Sequence, residues 1–297
     1  MREPSPRASR LALTAGVLAV ATVGGGGFLL GQRSSQDRSA TISPVLTATA
    51  PAPTPSSTAS AARVLRRADL LALAAEAADA TASGSQVPAS IRDAVGKPFA
   101  IALPFGCDGP TDVDSAASMG WYYDASAGAL RLNVRPVTWS PDEWSSAGAA
   151  LQAEAIEGFW ISRPWTRSEA CPSSGAMVAP TSAEPVTLAG QTLAIGQAFG
   201  AQSTRQGRRD GKPYTSVLRM ARTDFDASRG LALRLTGRIS AGPNGSAITC
   251  RQSGGADQRP VCLVLVALED VTIADPVSET ILASWPMGSP RAGGGAG

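Results

Sequence analysis

Apolar and polar positions divide the chain into stretches of different grain. Leu11 through Gly31 is a 21-residue run with no charged side chain. As a helix it would be about 31 Å long, enough to cross the hydrocarbon core of a bilayer. Residues 43–60 are almost wholly Pro, Ala, Thr and Ser and show no apolar period. From Arg63 to Ala80 the period changes again. Val64, Leu65, Ala68, Leu71, Ala75 and Ala78 recur at spacings of three and four, which predicts a helix. Its charges run against the helix dipole, with Arg63, Arg66 and Arg67 at the start and Glu76 and Asp79 near the end. Packing, not capping, is therefore expected to hold it, as a lid on the body or as a docking helix.

Beyond residue 97 the pattern is that of strands. Leu130, Leu132 and Val134 alternate with Arg131, Asn133 and Arg135, and Leu231, Leu233 and Leu235 with Ala232, Arg234 and Thr236. Strands are predicted over 99–105, 119–123, 129–137, 158–161, 186–188, 193–199, 214–221, 231–239, 247–250, 261–268 and 271–273, punctuated by Gly and Pro. Pro141, Asp142 and Glu143 suit a first helical turn, so one helix is expected over 141–157. The fold class expected is mainly β: an antiparallel β-sandwich or twisted-sheet domain with one or two short helices, preceded by a single transmembrane helix. The organisation expected is a cytoplasmic tail (1–10), a transmembrane anchor (11–31), a spacer (32–60), a helix (61–81) and an extracytoplasmic β-rich domain (82–297).

Charge fixes the orientation of that arrangement. Residues 1–60 carry a net +3 and the remainder a net −1, so the basic character belongs to the amino terminus. Arg2, Arg7 and Arg10 precede the apolar run and would stay in the cytoplasm. A cleaved leader is the alternative, with Ala19-Val20-Ala21 as its site. Cleavage there would strand the apolar segment Val23–Leu30 at a mature terminus, which favours an anchor. The location expected is a bacterial inner membrane, crossed once, with the carboxy-terminal domain in the periplasm. A near-neutral body lacks the cationic footprint of a nucleic-acid binder.

Composition narrows the chemistry. The chain has no histidine, which removes Ser-His-Asp and Cys-His nucleophiles and His-ligated metal centres. Its four cysteines contain no Cys-x-x-Cys pair and all lie in the exported part, where bridges are the expected state. Cys250 and Cys262 flank a Gly-rich polar loop like the two ends of a stapled hairpin, which leaves Cys107 for Cys171. No cofactor or metal is expected. Asp108, Asp112 and Asp114 are close in sequence, but their spacing is not that of a calcium loop.

Two constellations remain. Aromatic residues crowd the middle of the chain, and Trp121, Tyr123, Trp160 and Trp165 are candidates for a binding face. Arg208 and Arg209, beside the turn signal Asp210-Gly211, are candidates for the charged tip of a hairpin between 193–199 and 214–221. Glu154 and Glu157, three apart on the predicted helix, are the alternative catalytic pair, since paired carboxylates can cleave glycosides without histidine. The expectation is a membrane-anchored binding or assembly domain of a cell-envelope complex, with a protein partner favoured and a glycan as the other ligand class. The alternative is a carboxylate-dependent glycan or cell-wall hydrolase with a tryptophan-rich groove.

Overall fold

The computed structural model describes residues 63–112, 117–145, 151–172, 192–200, 207–226, 228–252, 255 and 257–287. All belong to the unit Ala59–Gly297; the other unit, Met1–Thr58, lies outside the described residues, as do the predicted anchor and the predicted strand at 186–188. No helix among the described residues is long and apolar enough to cross a membrane.

The body is built on mixed, mostly antiparallel sheets with two short helices, as in a β-sandwich or twisted-sheet domain. Strand β1 (Pro98–Phe105) turns Phe99, Ile101, Leu103 and Phe105 inward. The other strands are β2 (Met119–Asp124), β3 (Ala129–Val134), β4 (Val137–Trp139), β5 (Ala155–Trp160), β6 (Leu193–Phe199), β7 (Tyr214–Arg219), β8 (Leu231–Ile239), β9 (Ile248–Arg251), β10 (Val261–Ala274) and β11 (Ile281–Pro286). The large sheet has the order β1-β8-β10-β6-β5-β4, with β9 and β11 also paired to β10. The small sheet is β2-β3-β7. Helix α1 spans Arg67–Ser83 and helix α2 Ala89–Arg92.

Strand β10 organises the whole. Its first half pairs antiparallel with β9 and parallel with β6; its second half pairs antiparallel with β8 and β11. Its apolar run does not alternate because both faces of the first half are covered. Cys262, Val264 and Val266 enter the main core, shared with Leu70, Ala74 and Ala77 of α1 and with Trp121, Leu130 and Leu132 of the small sheet. Leu263 and Leu265 enter a second core on the other face, with Trp139, Trp144 and Ile156. Glu269 and Asp270 look like a break between two strands, but the strand is continuous and its register shifts there instead. The partner at the shift is Gly237, where an added Cβ would lie 2.1 Å from the Ala267 carbonyl oxygen. Only glycine fits the bulge.

Other expectations are corrected. The helix over 141–157 is absent as such. Pro141–Trp144 forms a single 3₁₀ turn, 146–150 lie outside the described residues, and Ala155–Trp160 is β5. Ile156 and Phe159 therefore face opposite cores as strand residues do. The 193–199 and 214–221 segments are not a hairpin: β6 lies in the large sheet between β5 and β10, while β7 pairs with β3 in the small one. The 129–137 strand is two strands, β3 and β4. The start of α1 is capped after all, because the Asp69 carboxylate accepts the Arg66 N–H at 2.8 Å.

The exposed edge of β1 is closed residue by residue. Leu65 bridges to Phe99 in parallel, its N–H donating to the Pro98 carbonyl and its own carbonyl accepting from Ala100. The Ala102 N–H donates to Glu169 at 3.0 Å. The next outward position is Pro104, which has no N–H to offer.

Candidate binding groove

Helix α1 lies against β9 and β10 and presents Leu71, Ala74, Ala75 and Ala78 along one side. Opposite stands the turn Pro164–Trp165, part of a strap that leaves the end of β5 and reaches Cys171. Thr192, Leu193, Arg259, Pro260 and Cys262 complete a groove of about 370 Å³. Among the described lining residues, Thr192, Arg259 and the indole N–H of Trp165 are the polar side-chain groups. Trp165 is 66% exposed, the most exposed large apolar side chain in the described structure.

The strap that carries Trp165 is held rigidly. Arg67, in the first turn of α1, is 2% exposed. Its Nε donates to the Thr166 carbonyl at 3.0 Å, and its Nη2 to those of Ser162 at 2.6 Å and Arg163 at 3.0 Å. Three carbonyls that flank Trp165 thus converge on one guanidinium. Burial pulls the Arg67 pKa down from its ordinary value, and Arg163 adds to the shift, while nearby Glu169 opposes it. Arg163 itself has a positive φ of 48° and donates to the Ala170 carbonyl, tightening the turn. The Cys107–Cys171 disulfide ties the far end of the strap to the end of β1. The Cys250–Cys262 disulfide crosses β9 and β10, where the two residues are direct partners, and Cys262 forms part of the groove floor.

The aromatic candidates do not share one surface. Trp121 is 3% exposed, set edge-on to Phe225 with ring centroids 5.1 Å apart in the main core. Tyr123 donates its hydroxyl to the Met220 carbonyl, with Arg222 near its ring face. Trp160 belongs to a cluster on the opposite face of the large sheet, 5.3 Å from Trp139 and 6.3 Å from Trp144. Trp165 alone stands at the groove.

The charged candidates, in contrast, come together. Glu157 is a β5 residue, 5% exposed, whose two oxygens accept the backbone N–H groups of Arg209 and Asp210, each at 2.7 Å. Arg208 pairs with Glu154 at 3.1 Å and with Asp210 at 2.6 Å. The Arg209 guanidinium sits 4.6 Å from the Tyr214 ring centroid and donates to the Pro213 carbonyl. The four residues form one cluster that pins the 207–213 turn onto β5. Glu154 precedes β5, so the two carboxylates share no helix face.

No protein-family model matches the chain, and neither a curated protein nor a solved structure does. Among the described residues no group of three or more Cys, Asp or Glu side chains could hold a metal ion; Asp114 lies outside them.

Arg67 and Arg259 were not among the residues singled out from sequence. Arg67 carried a usable signal. It precedes Leu70, Leu71 and Ala74 by three, four and seven residues, so it lies on the apolar side of a helix whose dipole disfavours a cation there. A cation in that position needs a buried acceptor set.

Proposed function

We propose that this chain is a binding module of a bacterial cell-envelope assembly, anchored in the inner membrane through residues 11–31, with its β-rich body in the periplasm. In this reading it docks a protein partner in the groove between α1 and the Pro164–Trp165 turn. The observation that carries the proposal is Trp165. A largely exposed tryptophan costs solvation free energy, and here its turn is immobilised by three hydrogen bonds from a buried arginine. A rigid, amphipathic, exposed aromatic beside an apolar groove is the form an interface anchor takes.

The lining argues for the partner's chemistry. A sugar would need several hydrogen-bonding side chains around the groove, and among the described residues only Thr192, Arg259 and the Trp165 indole offer one. An apolar protein segment fits the walls. Arg259 at the lining and exposed Arg167, two residues after Trp165, favour a segment that also carries carboxylates. The pair Arg259–Asp79 spans 3.9 Å between exposed side chains, so little holds Arg259 from a partner's acid.

The test is capture of the full-length chain with its partners from gently solubilised membranes, comparing the natural sequence with Trp165→Ala, Arg259→Glu and, as a control on the turn cluster, Glu154→Gln. A stoichiometric protein retained by the natural chain and the control should be lost with Trp165→Ala, since anchors of this kind contribute about 2 kcal/mol or more, roughly 30-fold in affinity. Arg259→Glu should weaken it further at low salt than at high salt. A partner held equally by the Trp165 and Arg259 variants would move the interface elsewhere on the body.

A further inference from the structure

The small sheet ends on β7, whose outer edge is open. One bond sets the phase of that edge. The Met220 N–H donates to the Gly128 carbonyl at 3.1 Å, so in the β3–β7 register Tyr214, Ser216 and Leu218 bond to β3, while Thr215, Val217 and Arg219 turn their peptide groups outward. The outward N–H and C=O groups of these three residues have no hydrogen-bond partner among the described residues. Elsewhere edges are guarded. The edge of β1 is closed as described above, the Trp121 carbonyl at the edge of β2 accepts from the Thr111 N–H at 2.8 Å, and β11 ends on Pro286, which has no N–H.

The open run is bounded alike at both ends. Two residues before Thr215 stands Pro213, which has no N–H and whose carbonyl already accepts from Arg209 at 2.6 Å. Two residues after Arg219 stands Ala221, whose carbonyl accepts from the Asp224 N–H at 3.0 Å. Val217 is therefore the midpoint of three free residues. Its side chain is 56% exposed, and of the exposed large apolar side chains among the described residues it alone lies in the interior of a strand. An edge with an apolar midpoint and equal arms is its own complement, because half a turn about the midpoint brings it onto itself in register.

We infer that β7 pairs antiparallel with β7 of a second copy of this chain, about a two-fold axis at Val217. Thr215 then stands opposite Arg219 of the other copy and Val217 opposite Val217, and the three residue pairs exchange N–H···O=C bonds in both directions. The two small sheets become one continuous sheet, in which the row Tyr122–Arg131–Val217, paired across β2, β3 and β7, runs on into its copy. Charge permits this arrangement. The two Arg219 residues lie four positions apart, about 14 Å along the strands. Arg131, beside Val217, is already held by Asp124 of its own copy at 3.2 Å. A register shifted by two residues would oppose Val217 to Thr215 or Arg219 and leave outward peptide groups unpaired. This edge shares no residue with the α1 groove.

The experiment is sedimentation velocity of the purified full-length chain in detergent, from about 1 to 100 µM, the range suited to a small interface. A mass that rises from one chain toward two is expected. Val217→Pro removes only an outward N–H, and it should raise the dissociation constant about tenfold or more while circular dichroism stays that of the natural chain. Val217→Lys, at a side chain already in water, should do the same by setting two ammonium groups at the axis, more strongly at low salt. The four native cysteines are all paired, so Val217→Cys carries the one free thiol. Oxidation with diamide should join it into a covalent dimer, whereas Thr215→Cys, about 14 Å along the strands from its copy, should stay unjoined. A chain that remains monomeric throughout would overturn the proposal. So would a dimer that both Val217→Pro and Val217→Lys leave intact, as one formed through residues 11–31 would be. Joining at Thr215→Cys as fast as at Val217→Cys would overturn the register. Trp165→Ala should dimerise as the natural chain does, whatever becomes of partner docking.

Discussion

A buried arginine that donates to carbonyls, not to a carboxylate, is worth as much as the acceptors it satisfies. Replacing Arg67 with Met removes three charge-assisted hydrogen bonds and leaves the Ser162, Arg163 and Thr166 carbonyls without their donor. The expected cost is about 3 kcal/mol or more, read as a lower urea midpoint, with faster amide exchange through 162–167. Arg67→Lys should recover only part of the loss, because an ammonium is a point donor and the guanidinium a planar fork. Tyr214 gives the residue-scale dependence on pH. Burial pushes its phenol up to about 12, with the nearby Arg209 cation working against the shift. Above pH 10 the unfolded chain releases this proton while the folded chain keeps it. Stability should therefore be whole below pH 10 and fall as pH rises toward 12, by roughly 2–3 kcal/mol. Tyr214→Phe should flatten that fall in denaturation series run from pH 9 to 12, since its hydroxyl otherwise meets only the Met287 sulfur at 3.9 Å.

Among the elements, the 207–213 turn shows how a buried carboxylate can act as a staple. Glu157→Gln keeps the shape of the side chain but leaves one acceptor oxygen for two N–H donors. A loss of about 1–3 kcal/mol is expected, with the Arg209 and Asp210 amides exchanging sooner than the rest of the turn. From sequence alone Glu157 read as half of a helical pair, because Pro141, Asp142 and Glu143 suit a first helical turn and Leu151, Ala155 and Ile156 could pack inward, and periodicity is a weak arbiter in a short apolar run. Tertiary pairing with β6 overrode that pattern. Strands bounded by turn residues were legible: Leu231–Ile239, with its alternating face, and Leu193–Phe199, buried on both faces, have the boundaries their patterns gave. The cysteine pairing followed from one local relation, the loop between Cys250 and Cys262, with the other bridge left as remainder. Strand β11 escaped notice because Ile281, Leu282 and Ala283 are bounded by an exposed Ser284 and show no period of two. The parallel pairing of β6 with β10 was invisible for another reason: the two segments are far apart in sequence and no local pattern encodes which strands meet.

Across the whole molecule, the aromatic residues look like one feature in sequence and are several in space. Strands of opposite facing send Trp121 to the main core and Trp139 and Trp160 to the other side, where a 3₁₀ turn adds Trp144, while another turn leaves Trp165 outside. The groove was therefore legible only through one of its members. Edge closure also belongs to this scale. The outward N–H groups of β1 are answered by Leu65 and Glu169 or deleted by proline, and Pro104→Val would restore one unanswered donor to that edge. That variant is expected to self-associate more strongly than the natural chain as concentration rises, measured by light scattering, with its secondary structure unchanged by circular dichroism.

The Leu65 bridge has a mechanical consequence. The chain enters the body through two backbone hydrogen bonds, from Leu65 to Pro98 and from Ala100 to Leu65, immediately ahead of α1. Tension applied along the preceding segment loads this clamp first and Arg67 next, while β8 and β10 carry none of it until α1 has come away. Arg67 is also what holds the turn of Trp165. A pull on the amino terminus would therefore dismantle the groove while the paired sheet, with Cys250–Cys262 stapling β9 to β10, stays folded, making the binding face the part of the described structure most responsive to force.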